Sequence, residues 1–238
     1  MLAAQTQNAD FRSPQENVMP TIQEIHNALL ALYGDALRLT PEPIEVLEAA
    51  EARLGIELPA ALRSYYQLTA HSDLANRAHN RLLAPDRLEI RDGAFLFYVE
   101  NQGVTFWGVL AEHLDLLDPP VHAAFNEDAL EWEEDDESLS RFLLKMAYWQ
   151  TVNGGLPNIG LGTASHATRQ QVEDRWPLLF RDDGYRLSFF GGDGAVVCLF
   201  DQEEGSGEIQ VATQSAEQLK ELGQMLLVDW DLLEGADD

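Results

Sequence analysis

The sequence holds a single cysteine, Cys198, so no internal disulfide can form and the stapled frameworks of small secreted domains are excluded. Cys198 lies in the apolar run Ala195-Val196-Val197-Cys198-Leu199-Phe200. A thiol there is expected to pack as a small hydrophobe, with a raised pKa and no reactive role. Positive charge is scarce as well: 15 Lys and Arg stand against 41 Asp and Glu, a formal net charge of −26. Such a surface repels phosphate backbones and anionic lipid headgroups, which argues against nucleic-acid and membrane partners. No stretch approaches the roughly 18 apolar residues that a spanning helix needs. The first 18 residues are polar and carry no apolar signal core, so a cytoplasmic protein is expected.

Catalytic and metal-binding patterns are missing too. The six histidines, His26, His71, His79, His113, His122 and His166, form no His-x-x-x-His pair, and no Cys-x-x-Cys set exists. His113 with Glu112 and Asp115 is read as a solvated acidic face rather than a metal site. Gly160-Leu161-Gly162 and Gly191-Gly192-Asp193-Gly194 lack the lysine of a phosphate loop and read as turns. No G-x-S-x-G elbow occurs. The expectation is a protein without enzyme activity, metal or cofactor.

What is present is a globular chain, 45% hydrophobic and 24% charged. Residues 1–19 read as a disordered lead-in, residues 20–230 as one domain, and residues 231–238 as an acidic tail. Thr21-x-x-Glu24 forms a capping box ahead of Ile22, Ile25, Leu29 and Leu32 at helical spacing, and Gly34 fits the end of that helix. A second helix is expected from about Pro41 to Leu54, closed by Gly55, with Ile44, Leu47 and Leu54 inward. Pro59 opens a third, burying Leu62 and Tyr65. After Gly93 the period falls to two. Ala94–Glu100 and Val104–Leu110 read as strands joined at Asn101-Gln102-Gly103, a hairpin with glycine at the left-handed position. Tyr185–Phe190 and Ala195–Phe200 form a second hairpin signal. Ser138 caps a helix carrying Leu139, Phe142, Leu143, Met146 and Trp149, and Ser215 caps a last helix to about Val228. Gly154–Gly162 is the best candidate boundary between lobes. Helices followed by hairpins predict an α+β fold with a mostly antiparallel sheet.

The negative charge is concentrated. From Glu112 to Glu137 there are 11 acidic residues and no Lys or Arg, whereas Arg53–Arg91 carries six arginines against four acids. The segment Glu131-Trp132-Glu133-Glu134-Asp135-Asp136-Glu137 repels itself unless a cation or a basic surface is at hand. Residues 112–137 read as an acidic insertion, and Glu131–Glu137 within it either as a solvated loop or as a face for a basic protein partner, with Trp132 anchoring the loop or the interface. Glu100 and Gln102 flank a turn that needs neither of them, which leaves a turn lock or a partner contact open.

Two motifs carry a family resemblance. Leu54-Gly55, Leu58-Pro59, Arg63 and Tyr65 resemble an N-terminal signature of the SUKH superfamily. Glu100-Asn101-Gln102-Gly103-Val104, followed by Trp107-Gly108, resembles the hairpin of its bacterial members. The resemblance implies a mixed sheet with helices on one side and no catalytic residues. It further implies an immunity-type protein that neutralises a cognate toxin, basic and nuclease-like to suit this charge, or else a regulatory interaction scaffold. It assigns no toxin-binding residues.

Overall fold

The computed structural model describes residues 21–69, 71–192, 194–201 and 207–235. The expected lead-in, and residues 236–238 of the expected tail, lie outside them.

Short helices gather at the start. Helix α1 (Ile22–Tyr33) begins at Thr21 with both bonds of the capping box, and buries Ile25, Leu29 and Leu32. Helix α2 (Ile44–Leu54) starts later than the pattern predicts, because Pro43 supplies its N-cap. Ile44 consequently faces solvent, and Leu47 with Ala50 forms the inward stripe. Helices α3 (Ala60–Thr69) and α4 (Asp73–Asn76) follow.

Two sheets then form where one was expected, and every pairing among the described residues is antiparallel. The first contains β1 (Arg81–Leu82), β2 (Glu89–Arg91), β3 (Ala94–Val99), β4 (Thr105–Leu110), β5 (Val121–Phe125) and β6 (Glu133–Asp136). Its order is β1-β3-β4-β5-β6, with β2 also on β3. The second contains β7 (Asn158–Ala164), β8 (Leu178–Asp182), β9 (Leu187–Gly192), β10 (Ala195–Phe200), β11 (Gly207–Thr213) and β12 (Val228–Glu234), in the order β12-β7-β11-β10-β9-β8. The α+β class therefore holds, with two sheets in place of one mixed sheet. The acidic stretch is no looped-out insertion, since it supplies β5 and β6. Gly154–Gly162 runs into β7 (from Asn158), an interior strand of the second sheet. Residues 231–234 of the expected tail complete β12.

Helix α5 (Leu139–Gln150) bridges the two sheets. Phe142 meets Phe97, Tyr98 and Trp107 of the first sheet, with ring centroids 5.4–5.7 Å away. Tyr148, a turn and a half further on, stacks on Phe189 of the second at 5.7 Å. A helix with partners on both sides must be apolar nearly all round, and nine of its twelve residues are buried. Helices α6 (His166–Arg175) and α7 (Ala216–Met225) contribute Val172, Leu219 and Leu222 to a separate core with Phe190, Val197, Leu199, Ile209 and Val211 of the second sheet. Cys198 points the other way, into the main core, fully buried and with its thiol pKa pushed up by that burial.

Candidate functional site

The hairpin β3–β4 forms as the sequence predicts, and Gly103 adopts φ +73° in its turn. Glu100 closes that turn. Its Oε2 accepts the backbone N–H groups of Gln102 at 2.8 Å and Val104 at 3.2 Å. The N–H of Asn101 donates to Asn80 Oδ1, and its amide meets the His79 ring at 3.3 Å. Gln102 takes part in the turn through its backbone N–H, and its side chain is exposed. Trp107, only 7% exposed, packs edge-on to Tyr98, and its Nε1 has no hydrogen-bond partner among the described residues.

The acidic segment divides in two. Val121 pairs with Asp136 and His122 with Glu134, so Asp135 is the extra residue of a β-bulge in β6. Neighbouring strand residues normally point to opposite faces, and a bulge re-aims one of them. Here Asp135 and Asp136 both reach Lys145 of α5. The ammonium donates to Asp135 Oδ2 at 3.1 Å and lies 2.9 Å from carboxylate oxygens of both Asp136 and Asp182. Arg141, one turn earlier, sits 3.1 Å from Asp136, and Tyr185 donates its hydroxyl to Asp135. The Lys145, Asp135 and Asp136 side chains are 3% exposed or less.

Burial alone would lower the Lys145 pKa, but Asp135, Asp136 and Asp182 outweigh it and hold the ammonium above its ordinary value. Burial also works to raise the Asp182 pKa, yet Lys145 and the Tyr185 N–H bring it below the usual range. At Asp136 burial wins, and its pKa is raised despite Lys145 and Arg141. A lysine so firmly protonated is a poor nucleophile. These groups hold the sheets together.

Two expected interface residues are therefore internal: Asp135 and Asp136 are occupied by Lys145 and cannot serve a partner while the cluster is intact. Glu137 is drawn to Arg141 at 3.4 Å. Trp132 is no projecting anchor either. It packs on the outer face of the first sheet with Leu96, Val99, Ala124 and Leu130, over Gly108, where an added Cβ would lie 3.1 Å from the indole ring. Glu131, Glu133 and Glu134 stay exposed, with no ion pair among the described residues.

Those three glutamates and the hairpin meet in one cleft of about 570 Å³. Glu100, Thr105, Trp107 and Ala123 of the first sheet and its hairpin line it, together with Lys145, Met146 and Trp149 of α5. Glu127 and Asp135 bring the carboxylates around it to six, and Lys145 is the one lysine or arginine among its lining residues. Phe125, 66% exposed, and Tyr185, 54% exposed, add aromatic faces. His79 also lines the cleft, its pKa lowered by burial against the pull of Glu100. Sequence reasoning missed Glu127, Lys145, Trp149 and Tyr185. The signal for Lys145 was there: one of only two lysines, it lies three and four residues from Phe142 and Trp149, on an apolar stripe. A charge in that position demands a buried counter-charge.

No protein-family model, curated protein or solved structure matches the chain. Among the described residues no group of three or more His, Cys, Asp or Glu is placed to hold a metal ion, and no helix is long and apolar enough to cross a membrane.

Proposed function

We propose that this protein is a non-catalytic binding module that takes a basic protein partner into the acidic cleft. The reading matches the immunity-type role implied by the SUKH resemblance, in which the partner is a basic, nuclease-like toxin domain. One observation carries it: Glu127, Glu131, Glu133 and Glu134 line a single concavity, and none of the four makes an ion pair among the described residues. Packed carboxylates repel one another, and a basic surface relieves that repulsion while speeding encounter. Catalysis finds less support. The carboxylate with a raised pKa, Asp136, is engaged by Arg141 and Lys145 and does not line the cleft.

The test starts with co-purification of the tagged protein from its native host and identification of the bound protein. Association kinetics of that partner are then followed across ionic strength, for the wild type and for the variant with Glu127, Glu131, Glu133 and Glu134 all changed to Gln. Slower association of the variant at low salt supports the reading, and equal rates place the interface elsewhere.

A regulatory scaffold is the second reading, and a second groove favours it. This groove, about 640 Å³, runs between Ile56–Ala60 and Ala111–Leu117, with Leu117 78% exposed. A protein with two separate docking surfaces suits assembly better than simple occlusion.

A further inference from the structure

We infer that the acidic cleft is a receptor for an arginine side chain carried on an extended segment of the partner; this rests on the binding reading above and adds the chemistry of recognition. Two independent features of the cleft are unmet. The first is charge: Glu131, Glu133 and Glu134 have no cation within ion-pair distance among the described residues. The second is a donor: Trp107 lines the cleft, is more than nine-tenths buried, and its Nε1 finds no acceptor among the described residues. Buried indole N–H groups ordinarily find an acceptor. A divalent cation or a polyamine could answer the carboxylates but offers no acceptor to the indole. A polypeptide offers both, a cationic side chain and a backbone carbonyl beside it.

The choice of arginine over lysine follows from the walls. Trp149, Tyr185 and Phe125 are among the residues that line the cleft beside the carboxylates. A planar guanidinium stacks on aromatic rings and forks two N–H groups onto a carboxylate, which a compact, strongly hydrated ammonium does not. The protein's own ammonium already lies 4.8 Å from the Tyr185 ring centroid, where it serves the buried cluster. A second cation entering from solvent has the outer glutamates and Trp149 left to it.

The experiment titrates the full-length, ¹⁵N-labelled protein with three blocked hexapeptides of alternating glycine and arginine, glycine and lysine, or glycine and citrulline. Isothermal calorimetry gives the affinities. The indole resonance of Trp107, assigned by its loss in Trp107→Phe or, if that variant does not fold, by through-space contacts to Tyr98 and Phe142, reports on the donor. The arginine peptide is expected to bind at least tenfold more tightly than the lysine peptide and to move that resonance downfield, with no detectable binding of the citrulline peptide. Glu133→Gln with Glu134→Gln is expected to weaken arginine-peptide binding at least tenfold. Glu217→Gln with Glu221→Gln, on the exposed face of α7, is expected to change it less than twofold. Equal affinity for arginine and lysine peptides, a stationary Trp107 resonance, or equal losses from the two double variants each overturns the inference. If these peptides fail while partner association still depends on the cleft glutamates, the binding reading stands without its arginine.

Discussion

Lys145 Nζ lies 2.9 Å from Asp182 Oδ2, and this contact joins the bridging helix to β8 of the second sheet. The same ammonium holds Asp135 and Asp136 of the first sheet, so one side chain ties β6 and α5, neighbours in sequence, to the distant β8. The cleft opens beside this tie. Its floor and wall are therefore set by an ion cluster that is itself unavailable to a partner.

Replacing Lys145 by Met should be severe. It leaves Asp135, Asp136 and Asp182 without their common cation in a nearly dry site, and breaking a buried pair this way costs about 3–5 kcal/mol. Urea unfolding at pH 7 measures the loss. Adding Asp135→Asn and Asp182→Asn to Lys145→Met should recover much of it, because the orphaned charges go too.

Acid should weaken the same tie through Asp182. Its folded pKa lies below the ordinary value of 3.8, so its contribution is fully present above that value and is lost as pH falls through the folded one. Asp136 acts in the opposite sense. Its folded pKa is raised, so its penalty is present above that pKa and is relieved as pH falls toward 3.8. Asp182→Asn should therefore destabilise at pH 7 and converge on the wild type as pH falls through the folded pKa of Asp182. Thermal melts from pH 7 to pH 2.5 would show the convergence, and a constant difference across that range would assign the effect to packing alone.

The hairpin separates two residues that the sequence left together. Glu100→Ala removes the acceptor of two backbone N–H groups and should cost about 1 kcal/mol. Gln102→Ala should change stability by less than about 0.5 kcal/mol. Chemical denaturation of both variants decides, and equal losses would contradict the turn-lock assignment.

Trp132→Ala should act on folding rather than on partner dissociation. The ring covers the outer face of the first sheet, and losing a large, half-buried aromatic there should cost about 2–3 kcal/mol. Gly108→Ala tests the same contact from below. Its Cβ would sit 2.9 Å from the Phe95 carbonyl oxygen and 3.1 Å from the indole, so the melting temperature should drop there too. A Trp132→Ala variant as stable as the wild type, but with faster partner release, would restore Trp132 as an interface anchor.

Local chemistry was legible where neighbours in sequence decide the outcome. The capping box at Thr21, the Gly55 stop with φ +71° and the β3–β4 turn are each settled within a few residues. The strands β7, β8 and β12 were not legible. Asn158–Ala164 and Leu178–Asp182 alternate weakly, and Val228–Glu234 carries three acids among its seven residues. Each is a strand because a neighbouring strand completes its hydrogen bonds, as β7 does for β12 and β9 for β8.

The candidate site divides along the same line. By itself the sequence determined that negative charge would gather at Glu131–Glu137, that Glu100–Gly103 would turn, and that Lys145 would sit among apolar helix residues. Only tertiary structure decided which acids face solvent. A single bulge in β6 turns Asp135 and Asp136 toward Lys145 and leaves Glu131, Glu133 and Glu134 at the cleft. The physical reason is range. Capping and turn bonds close within four residues, whereas a buried charge must find its partner wherever packing delivers one, here 37 residues further along the chain at Asp182.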